Sequence, residues 1–546
     1  MIRLWFAGLN CLFLATVSGG TICVSPAPDE GDSGPVIREA IARALEQGPG
    51  ATVRLGKGIF RIRSAADDNW FFVIGGGRDL TIEGEGDKTQ VVFTDPGRGG
   101  FLVAGGQGVS IRGLSIDYDP VPFIQGTVVS VNPTGNEFDL ELDPGFPSPN
   151  EPWFATGNPV SNMGVLFDSE RPRLKAGAPD YLFISGWQNR SGNRWAIHLG
   201  EPGGIGALAE GDRFVLLSRR GNGAFLFAGT TNCLLENVIV RASPSLTVSL
   251  TGSDRMTIRG LKIACAEGSP RLIASNGDGI HCQQNRKGPL IEDCFIEGLC
   301  DDGVNIYTVP LVVRQVISST QVVLAGGSQV REGDELQVFD PQRGIIRGQP
   351  RATAVREGNG NQIVTLDRPV EGMVAGNDHR SADTIFNLSA SGAGYVIRNN
   401  HFRNHRRFGL NLRGGDGLVE GNTFEELGGW SASVGNEPSW PEGPAPCNVV
   451  IRGNHIIGGG YSGGYGDGKG GPGIRVCGLS LNGLAVPPLI RGIVIENNRF
   501  TRPSDPAIEV RSARDVLIVN NRSTADPGSA VRTSSEMSED VKVDPK

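Results

Sequence analysis

Much of the chain is written in short runs in which apolar and polar residues alternate with a period of two, the pattern of half-buried strands. One phrase, apolar-x-apolar-x-Gly/Asn-x-apolar, keeps returning. It reads Ile111-Arg112-Gly113-Leu114, Leu235-Glu236-Asn237-Val238, Ile258-Arg259-Gly260-Leu261 and Ile291-Glu292-Asp293-Cys294. It continues as Ile397-Arg398-Asn399-Asn400, Val419-Glu420-Gly421-Asn422, Ile451-Arg452-Gly453-Asn454, Ile495-Glu496-Asn497-Asn498 and Val519-Asn520-Asn521. Asn400 and Asn422 are 22 residues apart, Asn498 and Asn521 are 23 apart, and the 44 from Asn454 to Asn498 make two turns. This spacing predicts a parallel β-solenoid whose equivalent residues stack about 4.8 Å apart on successive rungs. Asparagines stacked at a bend can hydrogen-bond along the solenoid axis, and Gly or Asn supplies the left-handed backbone of the turn, so their expected role is structural.

Two stretches break the repeat. Residues 119–222 carry alternating strands such as Gly126–Val131 and Phe138–Leu142, and residues 309–384 carry Leu311–Val316, Gln321–Leu324, Glu335–Phe339 and Ile363–Leu366. Hairpin-linked strands at this spacing predict two small antiparallel β-barrel domains inserted into the solenoid. Ahead of the coils, Ile37, Ile41 and Leu45 recur at helical spacing and end at Gly48, which predicts a capping helix over the open end of the solenoid. The predicted fold is all-β, a parallel β-helix. Its expected parts are a signal peptide at 1–20, cap and first coils at 21–118, the first insert at 119–222 and central coils at 223–308. The second insert at 309–384, C-terminal coils at 385–528 and a polar, disordered tail at 529–546 complete the chain.

Composition sharpens this picture. With 80 Gly in 546 residues and few helix-forming runs, the chain suits many short strands and tight turns, and a solenoid escapes the size limit of a single globular core. A net charge of -8 gives no electrostatic footprint for nucleic acid. Arg3, the apolar stretch Leu4–Val17 and the small residues Ser18-Gly19-Gly20 read as a secretory signal, too short to span a membrane, so the mature chain is expected to be secreted or periplasmic with no membrane span. The nine cysteines show no paired CxxC spacing, and no metal or other cofactor is expected. A disulfide among Cys282, Cys294 and Cys300 stays open.

The chemistry concentrates at 276–306. Gly277-Asp278-Gly279-Ile280-His281-Cys282 aligns with Asp301-Asp302-Gly303-Val304-Asn305-Ile306 at an offset of 24 residues, about one rung. Asp278, Asp301 and Asp302 are thereby expected to share one patch. Crowded carboxylates cannot all ionise at their usual pKa, and a protonated acid beside an ionised one is what glycosidic hydrolysis needs. Asp-Gly pairs also mark plain turns, and acid clusters also bind calcium. His281, Asn305, Asn411 and Arg475 fall in one outward column that can line a polar cleft, with Arg406, Arg407, Glu437 and Trp440 nearby. Trp440 is a candidate for stacking on a sugar ring. Gly463–Lys469 has the length of a phosphate-binding loop, but Gly470 follows where Ser or Thr is needed.

The phrases NGDGIHC and CDDGVNIY, the stretch Leu114–Val128 (LSIDYDPVPFIQGTV) and Trp440-Pro441-Glu442-Gly443 resemble the β-helix α-1,3-galactosidases of glycoside hydrolase family 110. The two acidic phrases are shared in looser form with polygalacturonase-type hydrolases. The resemblance covers most of residues 35–525. It implies a right-handed, pectin-lyase-like β-helix and an inverting exo-hydrolase that removes terminal α-linked galactose without a metal, with Asp301 as general acid and Asp278 and Asp302 activating water. His281, Asn305, Tyr307, Asn411, Arg407, Glu437 and Trp440 are the expected substrate-binding residues. The sequence departs from the family at Tyr307-Thr308 and at Cys282-Gln283-Gln284. The competing readings are a polygalacturonase-like hydrolase of acidic polysaccharide and a non-catalytic carbohydrate-binding β-helix.

Overall fold

A computed structural model of the chain describes residues 17–18, 20–154, 162–170, 173–200, 202–219, 221–325, 329–358, 360–465, 470–525 and 530–544. The predicted signal segment falls almost wholly outside these residues, and so do positions 466–469 of the rejected phosphate-loop motif. Three long sheets of 14, 11 and 11 strands run along one axis. Within each sheet, strands from successive coils pair in parallel; thus Ile280–Gln283 lies between Val248–Thr251 and Val304–Tyr307. The inward-facing residues of all three sheets merge into one continuous apolar core. Among the described residues no helix is long and apolar enough to cross a membrane.

The turns show why the repeat holds its register. The residue before each stacked asparagine has a positive φ: Asn399 at 56°, Gly421 at 67°, Gly453 at 63°, Asn497 at 57° and Asn520 at 55°. The chain therefore turns sharply and drops the next side chain inside. Asn400, Asn422, Asn454, Asn498 and Asn521 are all buried and form a continuous ladder. Each of the first four side-chain amides donates to the next asparagine's Oδ1 at 2.9–3.0 Å, and the same oxygen accepts a backbone N–H. Earlier coils place Leu114, Val238, Leu261 and Cys294 at this position, and the ladder begins where the Cys294 N–H donates to Asn400.

A second periodic device lies outside. On the 14-stranded sheet, Arg54, Glu83, Arg112, Glu236, Arg259, Glu292, Arg398, Glu420, Arg452 and Glu496 follow one another in register, opposite charges alternating rung by rung. Glu292, for example, is bracketed by Arg259 at 2.7 Å and Arg398 at 2.6 Å. Exposed pairs contribute little each, but a misplaced rung would set like charges opposite one another, so the column penalises wrong stacking.

The helix Gly34–Gln47 buries Ile37, Ala40, Ile41 and Ala44 against the first rungs and ends at Gly48, φ 87°. The first interruption is a closed six-stranded barrel running from Phe123–Asn132 to Arg213–Ser218 with its own core. A further apolar cluster joins its Phe123 and Val165 to Ile273 and Cys300 of the coils. The second interruption is a seven-stranded antiparallel sheet, Leu311–Ser318 through Thr384–Asn387, curled until Glu335 bridges Arg351. Its last strand extends past residue 384, into the stretch assigned from sequence to the C-terminal coils. The described cysteines, Cys282, Cys294 and Cys300 among them, are free.

The tail corrects the sequence reading. Rather than being disordered, Thr533–Glu536 and Glu539–Val543 add strands in parallel to Ile508–Arg511 and Ala513–Val519. Composition misleads here because the ladder uses backbone groups alone, while Val541 packs on the core.

The asparagine ladder yields a stability prediction. Asn454→Ala leaves the Asn422 N–H and side-chain amide without their acceptor inside the core. It should lower unfolding free energy by about 2–5 kcal/mol, since each buried unpaired group costs about 1–3 kcal/mol. A shift of the urea midpoint at unchanged slope is the measurement.

Candidate active site

One column of the third sheet, read through its register, runs Ser249, His281, Asn305, Asn411, Ser433, Arg475 and Glu509. Just before its strands stand Asp278 and Asp302, one rung apart. Gly279 and Gly303 make that stacking possible: a Cβ on Gly279 would lie 2.7 Å from the Gly303 carbonyl oxygen, and one on Gly303 would lie 2.4 Å from that of Gly409. Asp278, Asp301 and Asp302 are all buried, and one oxygen from each falls within 4.8 Å of the others.

The three acids have different surroundings. Asp301 Oδ1 accepts from Arg406 Nη2 at 3.0 Å and Arg407 Nη1 at 3.4 Å, and its Oδ2 from Arg219 Nη2 at 2.8 Å and the Tyr181 hydroxyl at 3.4 Å. Burial alone would raise the Asp301 pKa, but the guanidiniums of Arg406, Arg219 and Arg407 outweigh it and hold this carboxyl well below the usual range. Asp302 donates its backbone N–H to Asp278 Oδ1 at 3.3 Å. Its own oxygens accept from the Phe408 N–H at 3.2 Å and Asn411 Nδ2 at 3.1 Å. Burial, reinforced by Asp301 and Glu442 and only partly opposed by Arg407, pushes Asp302 up to about 7. Burial and the repulsion of Asp301 and Asp302 also raise Asp278. Burial and repulsion thus favour a proton on Asp278 and Asp302, while the guanidiniums favour the ionised form of Asp301.

Arg406 is the keystone of the surrounding shell. Fully buried, it donates to the Cys300 carbonyl at 2.6 Å, pairs with Asp180 and Asp301, and stacks over Tyr181 at 3.7 Å. Asp180 also accepts from the Tyr465 hydroxyl at 2.9 Å. Phe408, Trp430 and Tyr465 make an aromatic wall, Phe408 stacked on Trp430 at 4.7 Å, with Arg475 over Trp430 at 4.2 Å. A metal ion fits this arrangement poorly. Three guanidiniums already occupy both oxygens of Asp301 and would repel a cation at the centre of the cluster.

The expected binding residues divide. Asn305 and Asn411 stand beside the acids, donating to Glu442 at 3.4 Å and to Asp302, while both carbonyl oxygens are buried without a partner among the described residues. They are ready acceptors for hydroxyl groups. His281 meets Tyr307 edge to face at 5.2 Å, and burial lowers its pKa to about 4, leaving the ring neutral. Arg407 reaches both Asp301 and Asp302. Glu437 accepts from Ser439, Trp440 is 65% exposed, and neither touches the acids among the described residues. Their hairpin bridges at Glu437 and Glu442, so it turns Glu442 inward instead, where Asn305 and Arg413 hold it and burial raises its pKa. Asp180, Tyr181 and Arg219, from the first insertion, were not identified from sequence. They lie 82 to 226 residues from their partners, and no local pattern marks them.

The family described as right handed beta helix region matches residues 385–541. The protein named Alpha-1,3-galactosidase B of Akkermansia muciniphila is 25% identical over 462 residues, which cover 78% of this chain and 56% of the relative. The protein of the same name from Bacteroides thetaiotaomicron is 25% identical over 414 residues, 69% of this chain and 62% of the relative. The chain thus spans about three-fifths of the length of these curated relatives. Among solved structures, the crystal structure of the Agl-KA catalytic domain aligns with TM-score 0.47 and 12% identity over 95% of this chain and 65% of that one.

Removing the keystone tests the electrostatics. Arg406→Met should cost about 3–5 kcal/mol at neutral pH, the usual penalty for orphaning one member of a buried ion pair. The folded pKa of Asp301 lies below its unfolded value of 3.8, so its stabilisation is present above that pH and is lost as pH falls. The gap between wild type and variant should accordingly narrow in denaturation curves taken below pH 3.8.

Proposed function

We propose that this chain, a divergent relative of the α-1,3-galactosidases, is an exported glycoside hydrolase that removes a terminal α-linked galactose from a glycan. The observation that carries the reading is the buried convergence of three carboxyl groups, one gripped by three guanidiniums and two pushed towards their protonated forms by burial and repulsion. The names of the relatives support the sugar and the linkage. Burial of the acids, with the barrel's Tyr181 on Asp301 and Glu442 held by Asn305, supports exo action, since it suits a chain end better than a passing polymer.

We assign the roles differently from those that the resemblance implies. A general acid must hold a proton near neutral pH, and the three guanidiniums on Asp301 oppose that. In this reading Asp302, poised near 7, protonates the glycosidic oxygen, and the Asp301 carboxylate draws a proton from the attacking water. Asn305 and Asn411 accept sugar hydroxyls, and the aromatic wall packs on the ring face.

The stereochemical course has two readings. One oxygen of each acid falls within 4.8 Å of the others, a closeness that keeps retention, whose carboxyl groups stand about 5–5.5 Å apart, as the second reading. Inversion is the course that the resemblance to the α-1,3-galactosidases implies. We favour inversion. Proton NMR of the first sugar released from an α-1,3-linked digalactoside decides between them: β-galactose is expected, and α-galactose would establish retention.

The pH profile tests the proton assignment. With Asp302 as acid, kcat should hold steady up to about pH 6 and fall tenfold per unit above about 7. Asp302→Asn should lower kcat by about 100-fold or more. A rate already declining as pH rises past 3.8 would return the acid role to Asp301.

A further inference from the structure

The alternating charge column of the 14-stranded sheet has a counterexample on the same sheet. Arg491 and Arg514 sit directly in register on neighbouring rungs, and the column continues to Cys447 on one side and Glu539 on the other. Like charges opposite one another on adjacent strands are destabilising. Among the described residues neither guanidinium has a carboxylate within the 4.0 Å of an ion pair, Glu539 included. Both are exposed, and both line a cavity of about 330 Å³ between the coils and the second insertion. Ile346 and Gln349 of the insertion face Pro487 and Pro488 of the coil across it.

Elsewhere near the acids the arginines are matched. Arg219, Arg406 and Arg407 face Asp301, Arg413 faces Glu442, and Arg475 pairs with Glu509 at 2.8 Å. The catalytic pocket is thus suited to a neutral sugar, while unmatched positive charge collects in this groove. Guanidiniums bind carboxylate and sulfate in bidentate fashion, and proline and isoleucine offer a flat apolar wall to the C–H face of a sugar ring. A volume of about 330 Å³ is at the lower end of the roughly 300–1,000 Å³ typical of ligand sites.

We propose that this groove is a second carbohydrate site, selective for an acidic sugar unit, a uronate or sulfated residue of the glycan that carries the terminal galactose. The choice of a carbohydrate rests on the hydrolase reading; the requirement for an anion rests on the unmatched arginine pair. On a chain of net charge -8, acidic glycans are repelled overall, so a local cationic groove is what would hold one.

The experiment is calorimetric titration of full-length Asp302→Asn protein with a galacturonate tetramer, a neutral galactose tetramer and inorganic sulfate. The galacturonate tetramer is expected to bind, more weakly as salt is raised, and the neutral tetramer to bind at least about tenfold more weakly. The double variant Arg491→Gln/Arg514→Gln, made in both the Asp302→Asn and wild-type backgrounds, should weaken tetramer binding by about tenfold or more, as expected for lost charge-assisted hydrogen bonds. In the wild-type background the same pair should leave turnover of a small α-galactoside unchanged. Equal binding of acidic and neutral tetramers, or undiminished binding by the double variant, overturns the proposal. Sulfate binding as tightly as the tetramer also overturns it, as an adventitious ion only. If the wild type releases no galactose while arginine-dependent tetramer binding persists, the groove stands and the hydrolase reading falls.

Discussion

Everything in this molecule depends on one constraint: equivalent residues of successive coils must stack one strand spacing apart. That constraint turns sequence periodicity into columns of like position, and the chain uses different columns for different purposes. Inside the turn, a column of asparagines satisfies buried backbone and side-chain groups along the axis. On the outer face of one sheet, a column of alternating charge resists misregistered rungs. On another face, the same stacking places Asp302 one rung from Asp278, and Asn411 one rung from Asn305. Geometry that stabilises the scaffold thus also delivers the reactive groups, at a separation that the backbone sets and side chains can only fine-tune.

Stacking alone would give a cluster of acids that must all be protonated to remain buried. The first insertion changes that. By supplying Tyr181, Asp180 and Arg219, it completes a shell in which the cations Arg219, Arg406 and Arg407 meet the carboxyl groups of Asp180, Asp301 and Asp302. A proton is favoured on Asp278 and Asp302 because the guanidiniums crowd Asp301 instead. The barrel therefore makes an asymmetric acid cluster out of a symmetric repeat, which is a chemical reason for interrupting the solenoid at that point.

This also explains what could be read from the sequence. The coil lattice was legible because Asn400, Asn422, Asn454, Asn498 and Asn521 recur at the coil period, and the acidic trio was legible because two coils repeat the same phrase. Both are consequences of stacking, which is local in register even when it is long in sequence. Arg219 and Tyr181 were not legible because their contacts depend on how a separate barrel docks on the coils. Glu442 was missed in favour of Glu437 because the hairpin pairing of those two residues decides which carboxyl turns inward, and alternation in a short irregular loop carries no such information. The tail was misread for the opposite reason: its polar composition concealed a backbone able to extend the ladder.

The distribution of arginine follows the same division between repeat and interruption. Where the repeat is uninterrupted, each outward arginine of the alternating column finds a glutamate on the adjacent rung. Where an insertion meets the coils, the rule is suspended, once with Arg406 buried beneath the barrel and once with Arg491 and Arg514 beside the second insertion. In the first case carboxylates from two parts of the chain neutralise the cation and bias a proton. In the second, no described carboxylate comes close enough to do so, and an in-register pair of like charges persists at the surface. A solenoid tolerates such a pair because its stability is spread over many rungs, each contributing its own core residues and hydrogen bonds. The interruptions are thus places where the scaffold can bear local electrostatic cost.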